Sequence, residues 1–299
     1  MSMDLWPLLR FGLFRFDPET AHGLSMGFAR MAGGRTSVIL DGAAPPIGRS
    51  STNAHASTLA IEVTSGRRPL IVNCGSGASF GVEWRRAGRA TPSHSTLGIK
   101  GFSSSRLGSS GAAGGGAQVE LDEVPEQVWV QQDAGMDGLR ILAGHNGYAP
   151  THGMSHIRQL ALSVDGRAMT GEDTLGAMTA IDRRRYDKVM ERIGMKGIEF
   201  DIRFHLHPDV DATLDMGGSA VSMALKSGEI WVFRHDGVGE LRLDPSVYLE
   251  SGRLKPRSSR QIVLSSVVLD YACQLSWTLA KAQDTSAAIR DTERDDPLS

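Results

Sequence analysis

The chain has 299 residues, with 32 basic against 34 acidic side chains, 40% hydrophobic content and 6% aromatic content. So near-neutral a balance sets up no global field for nucleic acid or other polyanions, and an anionic ligand has to be met by a local arginine cluster. The 35 glycines and sparse aromatics favour a turn-rich β protein over a helical bundle, and two cysteines, Cys74 and Cys273, are too few for a disulfide framework and wrongly spaced for a zinc finger, so both read as free thiols.

The chain starts MSMDLWPLLRFGLFRFDPETAH. Arg10 and Arg15 interrupt its apolar residues, which is not the order of a signal peptide. No apolar run approaches the roughly 20 residues of a membrane span. The spacing predicts a short amphipathic helix with Trp6, Leu9, Leu13 and Phe16 on one face. Such a helix either docks on its own protein or makes a peripheral membrane contact.

After residue 35 the pattern changes to period two. Apolar runs recur at TSVILD, TLAIEV, PLIVNC, STLGIK, AQVELD, QVWVQQ, LRILAG and IRQLALSV, then at EFDIRFHLH, AVSMALK, EIWVFRH, SRQIVLSSVVL and CQLSWTLAK. Turn signals such as TSGRRP and VDGR separate them. At least a dozen short strands of this kind predict a mainly β fold, a large antiparallel β-sandwich of stacked sheets. Three interruptions stand out: GSSGAAGGGA (108–117) as a hairpin tip or linker, DRRRYDKVMERIG (182–194) as a solvated helix with Tyr186, Val189, Met190 and Ile193 inward, and a polar tail over 284–299. The expected division is a helical segment over 1–27, a β-sandwich over 28–283 and the tail.

Four groups of residues carry candidate chemistry. TNAHASTLAIEV places His55 where a strand begins, and RATPSHSTLGI does the same for His94; two imidazoles plus one oxygen donor make a zinc site, although a histidine at a strand end is usually a surface or hydrogen-bonded residue. EWRRAGR supplies Arg85, Arg86 and Arg89. GHNGYAPTHGMSHIR gathers His145, Tyr148, His152, His156 and Arg158 in what reads as one loop, either substrate-facing with proton-transfer groups or simply solvated. RFHLHPD sets His205 and His207 on one side of a strand, as a chelating pair or as the polar face of an edge strand ended by Pro208, and Arg242, Arg253, Lys255, Arg257 and Arg260 read as a solvated rim.

TNAHASTLAIEVTSGRRPLIVNCGSG, RATPSHSTLGI, DGLRILAGHNGYAPTHGMSHIRQLAL and RFHLHPDV, in that order, resemble the C-terminal β domain of the heparinase II/III-like polysaccharide lyases. The resemblance implies a β-sandwich that normally follows an α/α toroid, with the cleft between them, and β-elimination on polysaccharides containing uronic acid. That reaction needs a neutralised substrate carboxylate, a base for the proton beside it and an acid for the leaving oxygen. The family pattern His-x-His-x-Asp falls on Asn53, His55 and Ser57. The catalytic histidine is thus Asn53 here, and the metal positions are His55, Asn73 (where aspartate is usual) and His94. The remaining catalytic candidates are Tyr148 as acid and His145 or His152 as base, with Arg85, Arg86, Arg89, His156 and Arg158 toward the substrate. An acidic polysaccharide as partner, a separate helical toroid subunit, a structural zinc ion and a place in the cell envelope or periplasm are also implied, although the start lacks a signal peptide and leaves the cytoplasm open. No toroid fits before residue 35, and LLRFGLFRFDPETAHGL resembles the amino-terminal segment of quinone-linked dihydroorotate dehydrogenases. The expectation is the β-sandwich portion of a lyase, incomplete in this chain; the alternative is a non-catalytic carbohydrate-binding or subunit-docking β module.

Overall fold

The computed structural model describes residues 27–108 and 119–282; the expected N-terminal helix, most of the glycine tract and the tail lie outside them. Alternation makes the strands. In IEFDIRFHL, Ile198, Phe200, Ile202, Phe204 and Leu206 are buried in turn, as period two requires of a strand with one face on a core. The elements in chain order are β1 (Phe28–Gly33), β2 (Thr36–Asp41), β3 (Ile61–Ser65), β4 (Arg68–Val72), helix α1 (Val82–Arg89), β5 (Leu97–Ile99), β6 (Arg106–Leu107), β7 (Leu121–Glu123), β8 (Val128–Gly135), β9 (Gly138–Tyr148), the single turn α2 (Ala149–His152), β10 (Met154–Ser163) and β11 (Ala168–Gly176). They continue with α3 (Ala180–Arg192), β12 (Ile198–Leu206), β13 (Asp211–Asp215), β14 (Ala220–Ala224), β15 (Ile230–His235), β16 (Glu240–Tyr248), β17 (Arg257–Val268) and β18 (Ala272–Lys281).

Two antiparallel sheets hold most of the strands. One runs β1-β2-β3-β4-β12-β17-β16, with β5 also on β12; the other runs β13-β14-β15-β18-β11-β10-β9-β8. Their inner faces share one core. Phe204 of the first sheet meets Phe233 and Trp277 of the second, with ring centroids 5.1 and 4.8 Å apart. This is the expected sandwich. Helix α3 begins with the Thr179–Asp182 capping box and turns Tyr186, Val189 and Met190 inward, with Ile193 packed on the core.

Several segments differ from the sequence reading. Among the described residues, strand structure is already present before residue 35, in β1, whose inward face is Ala29, Met31 and Gly33, too weakly apolar to stand out. Strand β11 was invisible because its inward face is Met169, Gly171, Asp173 and Leu175. Strand β16 lies within the supposed basic rim. GHNGYAPTHGMSHIR is no loop: it is the end of β9, one helical turn and the start of β10. Nor is RFHLH an edge, since β12 pairs with β17 on one side and with β4 and β5 on the other.

Gly171 of β11 sits opposite Trp277, and a Cβ there would lie 2.1 Å from the indole ring. Gly144 and Trp129 repeat the pairing on β9 and β8, with a Cβ distance of 2.6 Å. Trp277 is enclosed, whereas Trp129 is half-buried on an edge strand and can shift. Gly171→Ala is therefore expected to cost about 1–3 kcal/mol by overpacking, and Gly144→Ala clearly less, as read from urea unfolding midpoints.

Candidate functional site

The site is the segment between β2 and β3, residues 48–60, hung on the C-terminal end of α1. Arg89 does the hanging. It is 3% exposed, and its guanidinium donates to the carbonyls of Ser51 (2.6 Å), Ala54 (2.7 Å) and Val119. Ala56 adds a backbone bond to the Arg89 carbonyl, and Thr91 Oγ1 donates to Ala56 O. Arg89 is thus a structural residue with its donors turned inward. Arg85, one helical turn earlier, donates to Thr52 O (3.1 Å) and to the Asn53 side-chain oxygen (2.8 Å). Asn53 and Arg86 are exposed, and Arg85 is half-buried.

The imidazoles of His55 and His94 converge, with His55 Nδ1 3.0 Å from His94 Nε2. His94 Nδ1 faces the Ala90 carbonyl at 2.9 Å, which can only accept, so that nitrogen carries the proton and Nε2 turns its lone pair toward His55 Nδ1. Burial, then the neighbouring His55, pushes His94 down to about 3. His55 is lowered by burial and by the charge of Arg89. Asn73 does not aim a free donor at this pair. Its oxygen accepts from Ser95 N–H (2.9 Å) and its amide donates to Glu62 (2.9 Å). Among the described residues, no group of three or more His, Cys, Asp or Glu side chains is placed to hold a metal ion. The donors therefore fall short of the three-ligand zinc set that the resemblance implies.

The other candidates lie behind the segment, between the sheets. Arg158 and Asp173 are fully buried, with Arg158 Nε 2.7 Å from Asp173 Oδ1 and the second fork at 3.2 Å. His156 Nε2–H donates to the same carboxylate (2.7 Å), and so does the Trp277 indole (2.9 Å). Burial works to raise the Asp173 pKa, but Arg158 and His156 outweigh it and hold the carboxyl well below the usual range. The remaining Arg158 nitrogen donates to Leu59 O (2.7 Å) and Ser95 O (3.0 Å). Leu59 has φ +63°, a left-handed conformation costly for a leucine, and its N–H bonds Asp41 O. The core network thus clamps the inner end of the site segment at its strained residue.

Tyr148 is enclosed, donates to Leu97 O (3.0 Å) and is pushed by burial beyond the ordinary phenol range. His145 is 1% exposed; its Nδ1 accepts from Gly147 N–H, its Nε2 finds no partner among the described residues, and burial holds its pKa far down. His152 is buried against Phe102 and lowered to about 4 by burial and by Arg192 and Arg106. The expected substrate-facing set of His145, Tyr148, His152, His156 and Arg158 is therefore enclosed, because β9, the turn α2 and β10 bury these side chains.

His205 and His207 do not converge. His205 Nε2–H donates to Pro92 O (2.9 Å), and its Nδ1 accepts from the Ser246 hydroxyl (2.8 Å) beside the Cys74 thiol, itself pushed up to about 11 by burial. His207 lies beyond the strand end, with its ring against Tyr248. The supposed rim is largely paired: Arg242 with Asp201 and Asp244, and Arg257 with Asp209 and Glu250. Asp173 and Trp277 are the contributors that sequence reading missed.

The family described as "Heparinase II/III-like, C-terminal" matches residues 17–278. FtsZ-localized protein C of Caulobacter vibrioides is 30% identical over 270 residues, covering 86% of this chain and 42% of that protein. A mutant of heparan sulfate lyase HepC from Pedobacter heparinus superposes with a TM-score of 0.61 at 13% identity, over 87% of this chain and 36% of that one. A heparinase III superposes at 0.62 with 11% identity, over the same shares of each chain. The chain thus spans well under half the length of each of these proteins. With one family pattern matched along most of its length and the fold of the same family in space, the chain belongs to the heparinase II/III-like proteins and carries their C-terminal domain.

Proposed function

We propose that this chain is a non-catalytic β module of a heparinase-like protein, which offers Asn53, Arg85 and Arg86 to an acidic polysaccharide and does not carry β-elimination by itself. One observation carries the reading. The imidazoles and phenol nominated as acid and base are enclosed, while the surface of the site presents an amide and two arginines. An amide does not remove a proton from carbon at neutral pH, but it hydrogen-bonds a carboxylate, and arginine pairs with carboxylate or sulfate groups through its planar fork. Catalysis on such a saccharide would need a base and an acid from elsewhere, such as a helical partner lining the other side of the crevice.

The test uses heparan sulfate and other uronic-acid polymers. The chain is expected to be retarded in affinity electrophoresis and to generate no near-ultraviolet absorbance from unsaturated uronate. Arg85→Ala with Arg86→Ala is expected to abolish most of the retardation while leaving the melting temperature nearly unchanged. Absorbance growing with the purified chain alone would overturn the reading. A docking module is the second reading, favoured by the name of the Caulobacter relative, which places that protein with FtsZ. Co-sedimentation with FtsZ polymers, unaffected by polysaccharide, would support it.

A further inference from the structure

We propose that the segment presenting Asn53 beside Arg85 of α1 is locked without a metal, by the hydrogen bond between His55 and His94 and by the Asn73 amide that ties Glu62 to the Ser95 backbone. The donor set carries this. A structural zinc takes four ligands with open lone pairs. Here two imidazole nitrogens face each other, and the third candidate, Asn73, is neutral and uses both ends of its amide: oxygen to Ser95 N–H, nitrogen to Glu62. The amide suits that place in a way a carboxylate does not. Aspartate could accept from Ser95 but could not donate to Glu62, and it would set two negative groups side by side.

The rest of the lock makes a metal dispensable. Ser95, adjacent to His94, donates its hydroxyl to Val72 O and accepts His205 N–H. His94 is fixed by the Ala90 carbonyl. On the opposite side Arg89 and Thr91 hold the carbonyls of Ser51, Ala54 and Ala56. Both walls of the His55–His94 contact are therefore fastened by covalently continuous, hydrogen-bonded backbone, the task a structural ion otherwise performs.

Two measurements decide. Protein grown with added zinc and purified without chelator is expected to contain far less than one zinc per chain, and EDTA is expected to leave its melting temperature unchanged. Asn73→Asp is expected to lower the melting temperature by about 2–4 °C, as for one lost hydrogen bond in a domain of this size, with or without EDTA. Adding Glu62→Gln restores a donor opposite the new carboxylate and is expected to recover the loss. Stoichiometric zinc whose removal lowers the melting temperature by several degrees would overturn the proposal, as would an N73D/E62Q double variant no more stable than N73D.

Discussion

Asp173→Ala is expected to destabilise the domain by about 3–5 kcal/mol, the cost of leaving one member of a buried ion pair without its partner. The carboxylate satisfies four donors: Arg158 Nε and its second fork nitrogen, His156 Nε2–H and the Trp277 indole. Truncation leaves the 0% exposed guanidinium with only the Leu59 and Ser95 carbonyls, and leaves the imidazole and indole donors bare. Replacing the pair together, Arg158→Met with Asp173→Leu, is expected to cost less, because no unpaired charge stays buried, although the His156 and Trp277 donors are bare in both variants. The double change also releases the Leu59 and Ser95 carbonyls, so the site segment loses its inner clamp. Equilibrium urea unfolding separates the two variants, and affinity electrophoresis of the double variant is expected to show weaker retardation than the wild type. A single alanine variant as stable as the wild type would remove the network from the account of the fold.

The sandwich was legible because most strands carry their own signature. Ile198, Phe200, Ile202 and Phe204 alternate so strictly that one face had to be buried, and the helical spacing of Tyr186, Val189, Met190 and Ile193 marks α3, although its Thr179–Asp182 cap starts it two residues earlier than 182. Strand β11 was not legible, because its inward face includes Gly171 and Asp173, whose reasons for being there are Trp277 and Arg158 on neighbouring strands. The same non-locality explains the site. Residue type alone made His145, His156 and Arg158 look like surface chemistry, and cross-strand register instead gave two of them a buried carboxylate. Arg85, Arg86 and Arg89 are equivalent in sequence; Arg89 goes inward because the carbonyls of Ser51 and Ala54 lie against the end of α1. The convergence of His55 and His94 was legible through the family pattern, whereas the commitment of the Asn73 amide to Glu62 and Ser95 was not, since it depends on where β3 sets Glu62.

The buried imidazoles set the second large expectation, an acid-labile fold. Burial pushes His94 down to about 3, His152 and His205 to about 4 and His145 well down, and lowers His55 and His156 as well. An unfolded histidine titrates at about 6.5, so below that pH the unfolded chain takes up protons that the folded chain refuses. The contribution of these groups is complete above about pH 6.5 and drains away as pH falls toward their folded values, at roughly 1.4 kcal/mol per pH unit for each. Against a domain stability of about 5–15 kcal/mol, that slope opens the fold within a few pH units of neutrality. Asp173 does not compete in this window, because Arg158 and His156 keep it ionised to far lower pH. Urea midpoints followed by tryptophan fluorescence at pH 7.5, 6 and 5 are expected to fall steeply. His145→Leu is the discriminating variant. His156 and Arg158 face this ring and disfavour its protonation, Tyr148 packs beside it, its Nε2 has no partner among the described residues and its Nδ1 accepts Gly147 N–H. The substitution is therefore expected to cost about 1 kcal/mol at pH 7.5, for the lost Gly147 hydrogen bond, and to make the pH slope shallower by one proton, roughly 1.4 kcal/mol per pH unit. An unchanged slope would mean that His145 is not the buried neutral group its surroundings require.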